Sequence, residues 1–224
     1  MTLRQCQAFF KKIIISKDCK YIYHTIYFRL LFYNKNSKKV VFMNFCDDSF
    51  RLPKAVNIPL SQYQSEKGRY FVGSANYLEF PDDDDGAVWA CLCNPRDSGV
   101  DLYLTVWTVS SPDTDFEAQL WFNARIPGAS EASDDVTTTN FTLSPTRRPC
   151  ARLCYAQGTG TPEGGVKAYI RYGTAPGTVV SEEDGKFILP PGDNVCIYVK
   201  QIGESEADAE ASVAFGWYEV PLCD

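Results

Sequence analysis

Apolar and polar positions alternate along most of this chain with a period of two, the signature of strands with one buried face. In the run Phe116–Ile126, residues Phe116, Ala118, Leu120 and Phe122 share one side, while Glu117, Gln119 and Asn123 share the other. Val195, Ile197 and Val199 alternate with Cys196, Tyr198 and Lys200 in the same way. Val100–Val109 is apolar on both faces, with Leu102, Leu104 and Val106 set against Tyr103, Trp107 and Val109. That pattern predicts a central strand covered on both sides. Further strand-like runs span Arg69–Val72, Tyr77–Phe80, Ala87–Cys93, Val136–Leu143, Ala151–Ala156, Val166–Tyr172, Thr178–Val180, Lys186–Leu189 and Ser212–Val220. Turn-forming residues punctuate them at Asn94-Pro95 through Gly99, Pro127-Gly128, Gly158 through Gly165, Asp184-Gly185 and Pro190-Pro191-Gly192-Asp193. Helical periodicity is almost absent, and Glu204–Ala211 offers at most one turn within an acidic loop. The expected fold is all-β, a jelly-roll-like β-sandwich of about ten to twelve antiparallel strands, with a barrel as the alternative.

The first residues break this pattern. Met1–Phe42 holds nine Lys and Arg against the single acid Asp18, a net +8, and is rich in Lys, Ile, Tyr, Phe and Asn. From Met43 onward thirteen basic residues face twenty-seven acidic ones, a net −14. Composition changes abruptly at Met43, so residues 1–42 are expected to be a poorly defined basic extension, either an arm or translated upstream sequence, with Met43 as the true start. Residues 43–67 are expected to form a linker or N-terminal arm, and 68–224 the sandwich domain. Lys17, Lys20, His24 and Arg29 interrupt every apolar run in the extension, so neither a secretory leader nor a membrane span is expected. A basic membrane-surface helix is the remaining alternative for this segment. A domain at −14 repels phosphate backbones, so nucleic acid is not an expected partner.

Candidate chemistry is sparse. The sole histidine is His24, so the region from Met43 on lacks an imidazole base, which argues against Ser-His-Asp and Cys-His catalysis and His-based metal sites. The expectation is a non-enzymatic protein without a cofactor. Asp82-Asp83-Asp84-Asp85-Gly86 reads as a solvated loop, with calcium binding as its functional alternative because hard cations take several carboxylate oxygens. Glu117, Glu219 and Glu182-Glu183-Asp184 are carboxylates of the type used in glycoside hydrolysis, but nothing in the sequence sets a separation. Nine cysteines without zinc-finger spacing read as reduced, buried thiols, with Cys91 and Cys93 sharing a strand face with Trp89. Intermolecular disulfides are the alternative, and Cys46 and Cys223, at the two ends of the domain, are the candidates. Trp121 shares a polar face by strand parity and, with Tyr103 and Trp107, is a candidate for stacking on a sugar ring. Contact with another subunit or an arm is the other reading of Trp121.

Gly68-Arg69-Tyr70-Phe71-Val72-Gly73, Asn94-Pro95 with Ser98-Gly99-Val100, Leu102-Tyr103-Leu104, Gly164-Gly165-Val166, Glu183 through Gly192, and Gly216-Trp217-Tyr218-Glu219 form a distinctive set of stretches. They resemble an uncharacterised all-β domain family of unknown function found mainly in endospore-forming Gram-positive bacteria. A looser similarity is to jelly-roll proteins of phage fibres and spore appendages, in the Asn-Pro-x-x-Ser-Gly and Pro-Pro-Gly turns. The resemblance brings no catalytic motif; the looser similarity agrees with a jelly roll, and a spore- or cell-surface association is an expectation. Together these features lead us to expect a structural, self-associating protein, with a carbohydrate- or ligand-binding module as the alternative.

Overall fold

The computed structural model describes residues 57–81, 86–203 and 209–222, together with the strand backbone of residues 29–34 and 39–44. The chain divides into two compact units, Met1–Val56 and Asn57–Asp224. In the first, β1 (Arg29–Asn34) and β2 (Lys39–Asn44) form an antiparallel hairpin.

The second unit is a two-sheet sandwich. Its strands are β3 (Tyr70–Glu79), β4 (Gly86–Cys93), β5 (Val100–Ser111), β6 (Phe116–Phe122), β7 (Glu131–Ala132), β8 (Val136–Thr138), β9 (Arg152–Thr159), β10 (Val166–Gly173), β11 (Gly177–Leu189), β12 (Asn194–Gln201) and β13 (Glu210–Pro221). One sheet has the order β10-β6-β12-β4-β9-β7 and the other β11-β5-β13-β3-β8, antiparallel throughout. Strands β3 to β6 step alternately between the sheets, and β10 to β13 step back to lie beside them. The resulting facing sets, β3-β13-β5-β11 and β4-β12-β6-β10, have jelly-roll order. The long connection from β6 to β10 adds β9 beside β4, β7 beside β9, and β8 beside β3.

The core lies between the sheets and includes Phe71, Leu102, Leu104, Trp107, Phe116, Leu120, Ile197 and Trp217. Alternation on β6 and β12 holds as expected, with Val195, Ile197 and Val199 facing inward. On β5 it does not. The register with β13 shifts where Thr105 and Val106 lie opposite Gly216, a β-bulge that exchanges the two faces of the strand. Trp107 and Val109 therefore join Leu102 and Leu104 in the core, while Val106 and Tyr103 stay half-exposed.

Bulges also merge runs that read as separate strands. Arg69–Val72 and Tyr77–Phe80 belong to one strand, β3, interrupted at Asn76-Tyr77, where Tyr77 has φ +55°. Thr178–Val180 and Lys186–Leu189 are both parts of β11, which bulges between Glu182 and Phe187.

Residues 60–66 form a helix, α1 (Leu60–Glu66), inside the sandwich unit rather than a linker. It closes with a Schellman turn at Gly68, φ +66°: Gly68 N–H donates to Ser65 O and Arg69 N–H to Gln64 O. Among the described residues no helix is long and apolar enough to cross a membrane.

Two of the notable sequence stretches meet at Asn94. Its buried carboxamide donates to Val100 O at 2.8 Å and Leu189 O at 2.9 Å, and its backbone pairs with Gly192 and Asp193. The Asn-Pro turn and the Pro-Pro-Gly turn are thus one assembly at one end of the sandwich.

Candidate functional site

The aromatic residues singled out from the sequence lie in three different places. Trp107 is fully buried, because the β5 bulge turns it inward, and its Nε1–H donates to Glu183 Oε1 at 3.1 Å. Its ring is therefore not available to a ligand. Tyr103 lies half-exposed on the outer face of the five-stranded sheet, stacked on Tyr218 with ring centroids 4.7 Å apart. Trp121 lies on the outer face of the other sheet, where its Nε1–H donates to Gln119 Oε1 at 2.9 Å. The ammonium of Lys167 sits 5.5 Å from its ring centroid, over the surface a sugar would need. Asp82, Asp83, Asp84, Asp85, Cys46 and Cys223 fall outside the described residues.

Among the candidate carboxylates, Glu117, Glu183 and Glu219 do not converge. Glu219 is buried and accepts from the backbone N–H groups of Cys150 and Ala151 and from Trp217 Nε1–H. Glu183 is buried in the β11 bulge, bonded to Trp107, Ser181 and Lys186. Burial pushes its carboxyl up, but the hydrogen bonds from Lys186, Ser181 and Trp107 outweigh this and hold it below the usual range. Glu117 belongs to β6 in the six-stranded sheet, whereas Glu183 and Glu219 belong to the five-stranded one. Glu183 and Glu219 are each engaged in holding structure.

A groove of about 710 Å³ does open on the outer face of the five-stranded sheet. Val72, Gly73, Val106 and Gly216 line it beside Asp134, Asp135 and Thr137. Asn76 Nδ2 donates to Asp135 Oδ2 at 3.2 Å and ties this rim to β3. Val106 also lines an adjoining cleft of about 360 Å³ beside α1, with Tyr70, Thr105, Glu182 and Asp184. There Tyr70 donates to Thr105 Oγ1 at 2.6 Å, and Thr105 donates to Gly216 O at 2.7 Å. This surface offers hydroxyls and carboxylates over a small-residue floor. It suits binding of a polar molecule, and its lining contains no nucleophile paired with a base.

The two sides of the sandwich differ. On one, the sheets end in β7 and β8, strands of two and three residues. On the other they end in β10 and β11, of eight and thirteen residues. Those two edges carry exposed Val166, Ile170, Tyr172, Val180 and Ile188. The side-chain pattern marks Val166–Tyr172 and the two parts of β11 as strands but not as edges, since strand order depends on non-local pairing.

The free-thiol expectation for Cys91 is corrected. Cys91 on β4 and Cys196 on β12 face one another across the sheet and form a disulfide. They belong to a second apolar cluster, on the outer face, with Trp89, Tyr198 and Trp121.

Residues 43–224 match the model of a family of unknown function, DUF6143. The chain belongs to that family. No curated protein matches it, and no solved structure does. The match covers the whole sandwich and begins at Met43, where the composition of the chain changes.

Proposed function

We propose that this DUF6143 chain is a non-enzymatic structural protein that assembles with a second copy of itself through the β10–β11 side of the sandwich. The observation that carries this reading is the open side. Long edge strands present a row of unpaired backbone donors and acceptors, and proteins that stay monomeric usually shorten or cover them. Here the β7–β8 side has been shortened and the β10–β11 side has not. The exposure of Val166 at 65%, Tyr172 at 66% and Val180 at 57% adds apolar area to that side. Charge supports the choice of occupant: β10 carries Lys167 and Arg171, and β11 carries exposed Glu182 and Asp184. A two-fold related copy would set its β11 against β10, and the reverse. The Cys91–Cys196 bond favours a setting outside a reducing cytoplasm, in keeping with a spore or cell surface.

The test is light scattering coupled to size exclusion on the full chain, with and without reductant. The expected result is a dimer in both conditions, converted to a monomer of unchanged circular dichroism by Ile170→Lys with Val180→Lys. A monomeric wild type at high concentration would overturn the reading. So would association that vanishes with reductant, which would move the contact to cysteines such as Cys46 and Cys223.

The second reading is a carbohydrate- or other ligand-binding module. The groove over Val72, Gly73 and Val106, with its Asp134–Asp135 rim, favours it. Thermal stabilisation by a sugar or polyol, lost in Asp135→Ala, would support that reading; no stabilisation across a glycan panel would remove it.

A further inference from the structure

Four cysteines meet on the outer face of the six-stranded sheet, away from the groove. Cys91 on β4 lies opposite Cys196 on β12 and opposite Cys154 on β9, so three sulfurs share one rung of the sheet. Cys93 follows two residues along β4, on the same face, opposite Arg152. Cys91 and Cys196 are bonded to each other, whereas Cys93 and Cys154 are free and half-buried. By the register the two free thiols are diagonal neighbours on that face. A straight rung is the wrong shape for a tetrahedral four-sulfur cage, and among the described residues no cluster of three or more ligating groups is placed to hold a metal ion.

We propose that Cys154 and Cys93 form a redox-active dithiol that reduces small anionic disulfides, with Cys154 as the attacking sulfur and Cys93 as the resolving one. Three observations support these roles. Cys93 is the deeper thiol and lies diagonally across from Cys154 on the same sheet face, as a resolving partner must. Arg152, exposed and two residues from Cys154 on the same strand face, supplies a positive field for both the thiolate and an incoming carboxylate-bearing disulfide. The hydrogen bond from Cys93, reinforced by Arg152, brings the Cys154 thiol down to about 6 against the opposing effect of burial. Hydrogen bonding to Cys154 and burial push Cys93 up. The resident bond stays out of the reaction because its loss would leave a Cys196 thiolate at 0% exposure among apolar side chains.

In the first step the Cys154 thiolate bonds to one sulfur of the incoming disulfide and the second sulfur leaves as a thiolate, which takes a proton from water. Cys93 then loses its proton to water and bonds to Cys154 Sγ, and the remaining thiolate departs. One disulfide is reduced to two thiols while the Cys93–Cys154 pair is oxidised. The exchange is stoichiometric: one disulfide is reduced per chain, and the Cys93–Cys154 bond remains.

Cys150 provides an internal control, because it is exposed but its thiol is raised, by burial and then by the Glu219 carboxylate. At pH 7 Cys154 carries the larger thiolate fraction, which outweighs the lower intrinsic nucleophilicity of a low-pKa thiol, so it should react before Cys150. The experiment treats the full chain, without prior reduction, with oxidised glutathione and maps each cysteine by mass spectrometry. The wild type should form a Cys93–Cys154 bond, Cys93→Ser should accumulate glutathione on Cys154, and Cys154→Ser should do neither while keeping the Cys91–Cys196 bond. Iodoacetamide should label Cys154 ahead of Cys150. Preferential reaction at Cys150 would overturn the proposal, as would a Cys91–Cys154 bond with Cys196 released, or resolution of the adduct in Cys93→Ser. Should Cys154→Ser fail to fold, the Cys93→Ser trap and the labelling order decide the matter.

Discussion

The carboxamide of Asn94 donates to the carbonyl oxygen of Leu189 at 2.9 Å, joining the turn after β4 to the end of β11, 95 residues along the chain. The same amide nitrogen satisfies Val100 O, so one buried side chain closes three segments. Asn94→Ala removes both bonds, taking this donor from Leu189 O and leaving Val100 O with the longer contact from Ser98 Oγ at 3.4 Å. The expected loss is about 2–4 kcal/mol, measured by urea unfolding. Asn94→Asp should be no better, since a carboxylate presents acceptors to acceptors.

Glu183 gives the domain an acid-sensitive element. Its folded carboxyl lies below the ordinary value of 4.5, so its stabilising contribution is fully present above that value and is lost as pH falls through the lower folded one. Lys186 behaves in the opposite sense. Hydrogen bonding to Glu183 raises it, so its contribution is present below 10.5 and is lost as pH rises through the folded value. At pH 7 Glu183→Gln should cost about 1–3 kcal/mol, through weakened bonds to Trp107, Ser181 and Lys186. Melting temperatures of wild type and variant should converge as the pH is lowered toward 3. A gap that is constant with pH would show that the carboxylate charge is not involved.

Gly165 sits at φ +63°, and a Cβ there would meet the backbone carbonyl of Phe122 and come within 2.7 Å of Ala124 N. Those neighbours are main chain and cannot swing aside. Gly165→Ala should therefore destabilise by about 1–3 kcal/mol, whereas Gly164→Ala, with nothing within 4 Å, should carry only the backbone penalty of its φ +66°. Parallel thermal melts of the two variants check the difference.

Glu219 holds the start of β9 by accepting from the amides of Cys150 and Ala151. Glu219→Ala should raise hydrogen-exchange rates at those two amides by at least about tenfold, with core amides of β12 little changed. Uniform loss of protection would instead mean global destabilisation.

Much of this fold is legible in the sequence because strands and turns are local. Parity on β6 and β12 places Phe116, Leu120, Val195 and Ile197 in the core and Trp121 outside it. The failures are places where a local rule is overridden. The extra residue at Thr105-Val106 reverses parity downstream and turns Trp107 inward, and nothing in the side-chain pattern marks it. Helix α1 is too short to show a period. The Asn-Pro and Pro-Pro-Gly turns were visible as turns, but their union through Asn94 was not. The Cys91–Cys196 bond was not legible for the same reason, because which strands adjoin is decided by the whole chain. Glu183 left one trace, an acid interrupting an otherwise strand-like run beside Asp184-Gly185.

That disulfide also bears on how the domain would respond to tension. It joins neighbouring strands of one sheet and closes a loop with a sequence separation of 105 residues. Pulled from its two ends, the domain can pay out only the segments that flank Cys91 and Cys196. Everything between them, β5 to β11 included, stays out of the line of force until the bond is reduced. A sandwich built this way behaves as a tether with a fixed maximum length, set by redox state rather than by the strength of its hydrogen bonds.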